Sequence, residues 1–175
     1  MSGGTDSFKS AMRLLVGGVT LLTTANGNER RGMTATAVCS LSVDPPRILA
    51  CVNLQGATYR VMAAGRAMTV NLLGASHENL ARRFGAGSAH ADDPFASGNW
   101  STGSNGAPRL LDALAALECS IEEMIVTRTH AIVIGDVRDV IVTGDPRPLI
   151  YVNGSFRHVD ALEHVPPSRP AQTIQ

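Results

Sequence analysis

Charge of either sign is scarce in this chain. Lys and Arg together number 15, Asp and Glu 15, the charged fraction is 17% of 175 residues, and the formal net charge is +0. Nucleic-acid binders ordinarily carry a basic excess or a basic stripe, so DNA, RNA and anionic membrane surfaces drop out as first expectations, while the sparse, balanced charge favours self-association. Cysteine is scarce too: Cys39, Cys51 and Cys119 form no CxxC pair, and their odd number suits reduced thiols rather than a disulfide framework. Long apolar runs are missing, since the stretch from Leu14 to Leu22 falls short of the about 20 residues a bilayer span needs. The start, MSGGTDSFKSAMRLL, has no basic segment leading into an apolar core, and Asp6 interrupts where a signal peptide would continue. A soluble, cytoplasmic protein is expected.

Familiar chemical motifs are missing as well. Gly85-x-Gly87 is followed by His90 where a dinucleotide fingerprint needs glycine, and it follows a helical pattern rather than a strand. No GxxxxGK[ST] phosphate loop and no GxSxG elbow occur. The histidines form no HExxH pair; His90 with Asp92 and Asp93 is a polar loop cluster, which rarely holds a metal, and no metal is expected.

What is present is a globular composition, 44% apolar, in a length that fits one domain over residues 1–175, with 165–175 reading as a flexible tail. Strands dominate. A helix capped by Asp6 or Ser7 presents Phe8, Ala11, Met12 and Leu15 on one face, and the strand GVTLLTTA follows. Asn26-Gly27 signals a hairpin, with NGNERRG suggesting a somewhat longer loop. RILACVN has mixed faces that suggest burial on both sides, a short helix covers about residues 58–64, AMTVNLL is a strand, and Ser76 can cap a further helix. A Gly-, Ser- and Asn-rich stretch from Gly85 to Pro108 reads as one long loop, then come two or three long strands and a final hairpin through Asn153-Gly154. Many strands with short connections and few helices predict a largely antiparallel barrel.

One segment resists the ordinary reading of a strand. In GMTATAVCSLSVDPP, Met33, Ala35, Ala37, Cys39, Leu41 and Val43 share one face, and Thr34, Thr36, Val38, Ser40 and Ser42 share the other. A solvated face normally carries Lys, Glu or Arg. This one carries small groups that cannot shield the backbone but can offer hydroxyls, so it either packs against protein or receives a ligand.

GMTATAVCSLSVDPPRILACVN, LQGAT, VNLL, ENLARRFGAG, HAIVIGDV and PLIYVNGSFR together resemble, in order and spacing over about residues 8 to 158, the flavin reductase-like family. The resemblance implies a mainly β, Greek-key, antiparallel FMN-binding split β-barrel with a few short helices. It implies an NAD(P)H:flavin oxidoreductase that reduces FMN, or FAD, with a hydride from NADH or NADPH and supplies a partner monooxygenase. A homodimer with the flavin near its interface is expected. Rival readings are an FMN-dependent reductase of another acceptor such as a corrinoid, a flavin binder without turnover, and a pyridoxamine-phosphate-oxidase-like barrel.

The resemblance also assigns residues. A flavin would lie against Met33 to Ser40 and against Cys51, Val52 and Asn53, where Thr-, Ala- and Ser-sized side chains let a planar ring approach main chain. Its phosphate would sit on Gln55, Gly56, Ala57 and Thr58 at a helix N-terminus, although relatives often have Ser where Gly56 stands. Arg83 would balance the charge, and Phe84 would pack beneath the ring. His130 would position the nicotinamide with Tyr151 close by, and Trp100, with Phe95, would lid the site or fill a gap.

Overall fold

The computed structural model describes residues 3–86, 93–143 and 147–159. Helix α1 (Gly3–Leu14) starts earlier than Asp6 and leads through the very short strand β1 (Gly17–Gly18) into β2 (Thr20–Asn26) and β3 (Glu29–Ala35). Register pairs Asn26 with Glu29, so the hairpin turns on Gly27 and Asn28 alone, and Gly27 takes the left-handed φ of 57° that a tight turn requires. The longer loop expected here is absent, and Arg30 and Arg31 lie in the strand.

Next come β4 (Val38–Val43), β5 (Pro46–Asn53), α2 (Ala57–Gly65), β6 (Ala67–Leu72) and, after a 3-10 turn over Ala75–His77, α3 (Glu78–Gly85). The stretch expected as a single loop contains a second 3-10 turn, Pro94–Ala96, and the hairpin β7 (Trp100–Thr102) and β8 (Pro108–Leu110). Long strands β9 (Ala115–Val126) and β10 (His130–Val142) follow, then β11 (Leu149–Val152) and β12 (Ser155–His158), joined through Asn153 and Gly154, both at positive φ. His90, Asp92 and the segment 165–175 lie outside the described residues.

All strand pairs among the described residues are antiparallel. Seven strands form one sheet in the order β3-β2-β6-β9-β10-β5-β4. Its two outermost strands, β3 and β4, are consecutive in the chain and separated only by Thr36 and Ala37. Three peptide steps span at most about 11 Å, so the sheet must curl until its edges meet at this crossing. The result is a split barrel whose two edge strands are linked by the chain but share no ladder.

The segment 32–46 is therefore not one strand. β3 pairs with β2 and β4 with β5, at opposite edges of the sheet, so the two continuous faces predicted by alternation do not exist. Ala35 is buried, whereas Thr36, Ala37, Cys39 and Ser40 are exposed.

The interior is filled by Leu22, Ala50, Val52, Met68, Val70 and Val133, with Met62 supplied by α2. β5 alternates between buried Ile48, Ala50 and Val52 and half-buried Leu49 and Cys51, so it buries one face fully rather than both. A second cluster, including Leu21, Leu73, Leu80, Phe84, Phe95 and Leu110, packs α3 and the 94–110 excursion onto β2. Polar groups fasten that excursion. The fully buried Glu118 carboxylate accepts from the Ser104 amide (2.7 Å), the Ser104 hydroxyl (2.6 Å) and Arg109 Nη1 (3.0 Å). Burial pushes this carboxyl up, but the hydrogen bonds from Ser104 and Arg109 outweigh it and hold the group below its ordinary range. No helix among the described residues is long and apolar enough to cross a membrane.

Candidate functional site

The crossing at Thr36 and Ala37 is the centre of the site. Its flanks are pinned: the Thr20 hydroxyl donates to Ala35 O (2.9 Å) and the Cys51 amide to Ala37 O (2.9 Å). Thr36 itself belongs to neither ladder. The partly buried Met33 and Val38 pack with buried Ala35 and Val52 in the barrel core, while Thr36, Ala37, Cys39 and Ser40 present small exposed side chains. Of the three thiols, Cys119 is fully buried, and burial first, then Asp136 and Glu118, pushes it up to about 12, which leaves it inert.

β5 ends at Asn53 beside this crossing. The Asn53 side-chain oxygen accepts from the Gln55 amide (2.9 Å) and its carbonyl from the Gly56 amide (3.2 Å), turning the chain into α2. Gly56 is the N-cap of α2 and contributes no side chain, so no capping hydrogen bond covers the first amides, and Gln55, Gly56 and Ala57 are exposed. The Gln55 and Gly56 amides are taken by Asn53, so the open amides begin at Ala57, and with the positive end of the dipole they suit an anion. Thr58 is buried, and its hydroxyl donates to Gly32 O (3.1 Å), so that side chain ties α2 to β3.

Helix α3 backs the same strand. The Thr34 hydroxyl donates to Ala81 O (2.7 Å), and Phe84 fits against Gly32, where an added Cβ would come within 2.8 Å of its ring. Phe84 is only 4% exposed and packs edge-on to Phe95 at 5.0 Å and near Trp100 at 5.7 Å. Its ring supports β3 from the core, on the inner side of Gly32. Trp100 donates its indole N–H to Ser97 O (2.6 Å) and packs on Phe95 at 5.0 Å, against the aromatic cluster over α3. No hydrogen bond or ring contact among the described residues joins it to His130 or Tyr151.

Arg83 donates to Asp93 O (2.9 Å) and faces a groove lined by His77, Asn79, Ser97 and Asp112. The Asp93 carboxylate, held below its ordinary range by the Phe95 amide and by Arg30 and Arg83, pairs with Arg30 at 2.7 Å. Asp93 is thus engaged with cations of β3 and α3.

His130 and Tyr151 flank the crossing on different strands. His130 opens β10 in register with Asn53, with its Nδ1 at 2.9 Å from the Thr129 hydroxyl and its ring exposed. Tyr151 pairs with Gly17 of β1, which lies directly against Thr36, and its ring meets Phe156 at 5.0 Å. The structure thus gathers 33–40, 51–57, His130 and Tyr151 about one crossing, and sets Arg83 and Trp100 on α3 and the excursion. Gly17, Thr20 and Gly32, which shape the crossing, went unread in the sequence; the only signal was the Gly17-Gly18 pair before a strand.

An uncharged main-chain edge beside an open helix N-terminus fits a planar ring carrying a phosphate. Residues 12–160 match the model of the family described as flavin reductase like domain. The chain is 38% identical over 150 residues to an FMN reductase (NADH), RutF, of Agrobacterium fabrum, covering 86% of each chain. Among solved structures, the Streptomyces globisporus NADH:FAD oxidoreductase SgcE6 superposes with a TM-score of 0.83 at 28% identity over 91% of this chain and 95% of that one. BorF, the flavin reductase component of a bacterial two-component tryptophan halogenase, gives 0.81 at 28% identity over 89% and 98%.

Proposed function

The chain belongs to the flavin reductase like family and is an oxidoreductase of flavins, and from that premise we propose that it transfers a hydride from NADH or NADPH to FMN or FAD and releases the reduced flavin to a separate monooxygenase. The observation that carries this reading is the exposed, uncharged crossing at Thr36 to Ser40 next to the uncapped N-terminus of α2. Similar proteins named as an FMN reductase using NADH and as the reductase component of a two-component halogenase support it.

When bound, the flavin supplies the redox chemistry, accepting the hydride at its ring. The protein supplies position. Backbone amides and carbonyls of 33–40 and 51–53 hold the ring edge, the uncapped first amides of α2, from Ala57 and Thr58, hold the phosphate beside Gln55 and Gly56, and Arg83 adds countercharge. His130, with Tyr151 across the crossing, orients the nicotinamide. A second copy covers the exposed apolar stripe of α1, forming a homodimer. The test is turnover: oxidation of NADH and of NADPH is followed with catalytic protein and excess free FMN or FAD. Saturable multiple turnovers in added flavin are expected. A single stoichiometric reduction would indicate a tightly held cofactor serving another acceptor, and no oxidation of either nucleotide would leave a binding protein.

A further inference from the structure

We infer that Gly17 is a positioning residue for the flavin edge, its missing side chain fixing where Thr36 sits. This rests on reading 33–40 as the flavin-binding edge. A Cβ built on Gly17 would lie 2.8 Å from Thr36 Cβ, 3.2 Å from its Cγ2 and 3.5 Å from its Oγ1. The nearest of these atoms is bonded directly to the main chain, so no rotation of the Thr36 side chain relieves the contact. Any side chain at position 17 forces backbone to move.

What moves is decided by what holds each partner. β1 is held by β11, with Gly17 opposite Tyr151 and Gly18 opposite Ile150. Its continuation is tied from both sides, the Val19 amide donating to Leu149 O (2.9 Å) and the Leu73 amide to Val19 O (3.0 Å). The crossing is pinned at Ala35 O and Ala37 O, but the residue between them, Thr36, is exposed and lies in neither ladder. Thr36 therefore yields, away from β1. Gly17 also has no left-handed backbone that would demand glycine for its own sake, since it is not among the glycines at positive φ. Gly18 provides an internal comparison, because a Cβ there would meet nothing within 4 Å.

The experiment measures FMN and riboflavin dissociation constants and bound-flavin spectra for wild type, Gly17→Ala, Gly18→Ala, Thr36→Gly and the Gly17→Ala/Thr36→Gly pair, with thermal melts of each. A main-chain shift that breaks two ring-edge hydrogen bonds costs on the order of tenfold or more in affinity. Gly17→Ala should weaken FMN and riboflavin by the same factor, at least about tenfold, and change the bound-flavin spectrum, while Gly18→Ala binds as wild type. In the Thr36→Gly background, adding Gly17→Ala should change affinity by less than about twofold, because the clashing atom is gone. A folded Gly17→Ala protein with wild-type affinity and spectrum would overturn the inference. So would an equal loss in the Thr36→Gly background, and this comparison stands even if Gly17→Ala alone fails to fold. Failure of the wild type to bind either flavin would instead overturn the flavin reading itself.

Discussion

At the scale of single residues, the candidate site separates groups that touch a ligand from groups that hold the wall. His130 is exposed at the start of β10, and none of the hydrogen bonds that shape the crossing at Ala35 and Ala37 uses its ring. His130→Ala should therefore leave FMN affinity within about twofold and slow flavin reduction by NADH in anaerobic stopped flow, on the order of tenfold or more. Wild-type reduction at every nucleotide concentration would mark it as a surface residue. Glu118 belongs to the wall. Removing one partner of a buried ion pair costs about 3–5 kcal/mol, so Glu118→Ala should lower the melting temperature by roughly 6–20 °C. The sign with pH follows from its depressed folded pKa. Its contribution is present above the ordinary value of 4.5 and is lost as pH falls through the lower folded value, so wild type but not the variant should lose this increment in acid melts.

At the scale of elements, the N-terminus of α2 sets helix stability and ligand affinity against each other. Gly56 has φ −76° and ψ 141°, which any residue adopts, and a Cβ there would approach Asn53 O at 3.4 Å. Gly56→Asp supplies a good N-cap, so stability should stay level or rise by a few tenths of a kcal/mol. The added charge should weaken FMN by about 1–3 kcal/mol, roughly 5- to 150-fold, and leave riboflavin nearly unchanged, as fluorescence titration would show. Equal losses for both flavins would move the phosphate elsewhere. Elements whose cause is local were legible in the sequence: a hairpin turn beginning at Gly27 and one at Asn153-Gly154, the strand Ala67–Leu72, and the helix closed near Gly65, although the first turn is shorter than expected. The break at Thr36 was not, because neither Gly nor Pro marks it. It exists only because the partners of β3 and β4 lie at opposite edges of a curled sheet. The segments 33–40 and 51–58 enter the proposed site through the family resemblance, which small residues and a helix start, both local features, accompany. The core placement of Phe84 and the contact of Gly17 with Thr36 depend on how distant segments pack, and no spacing rule reports that.

At the scale of the molecule, α1 is the part the monomer leaves unsatisfied. Phe8 is 63% exposed and Met12 46%, one turn apart on the helix, Leu15 just past its end is 67% exposed, and the chain continues into β1 beside the crossing. Burying each such side chain is worth about 1.5–3 kcal/mol, enough together to hold two copies. Light scattering should give a dimer, and Phe8→Glu/Leu15→Glu should give a folded monomer with weakened flavin binding if the second copy borders the site. A wild-type monomer with full activity would remove the dimer from the mechanism.

The two-residue link at Thr36 and Ala37 between the sheet's edge strands has a consequence for tolerance to insertion. One added residue inside a strand reverses every side chain beyond it. Between Thr36 and Ala37 it reverses none, because β3 keeps its register with β2 and β4 with β5. A single glycine inserted there should leave the melting temperature within a few degrees, since lengthening a short connection costs little, while abolishing measurable FMN binding. On the proposed function, then, the length of this connection is set by the ligand rather than by strand register.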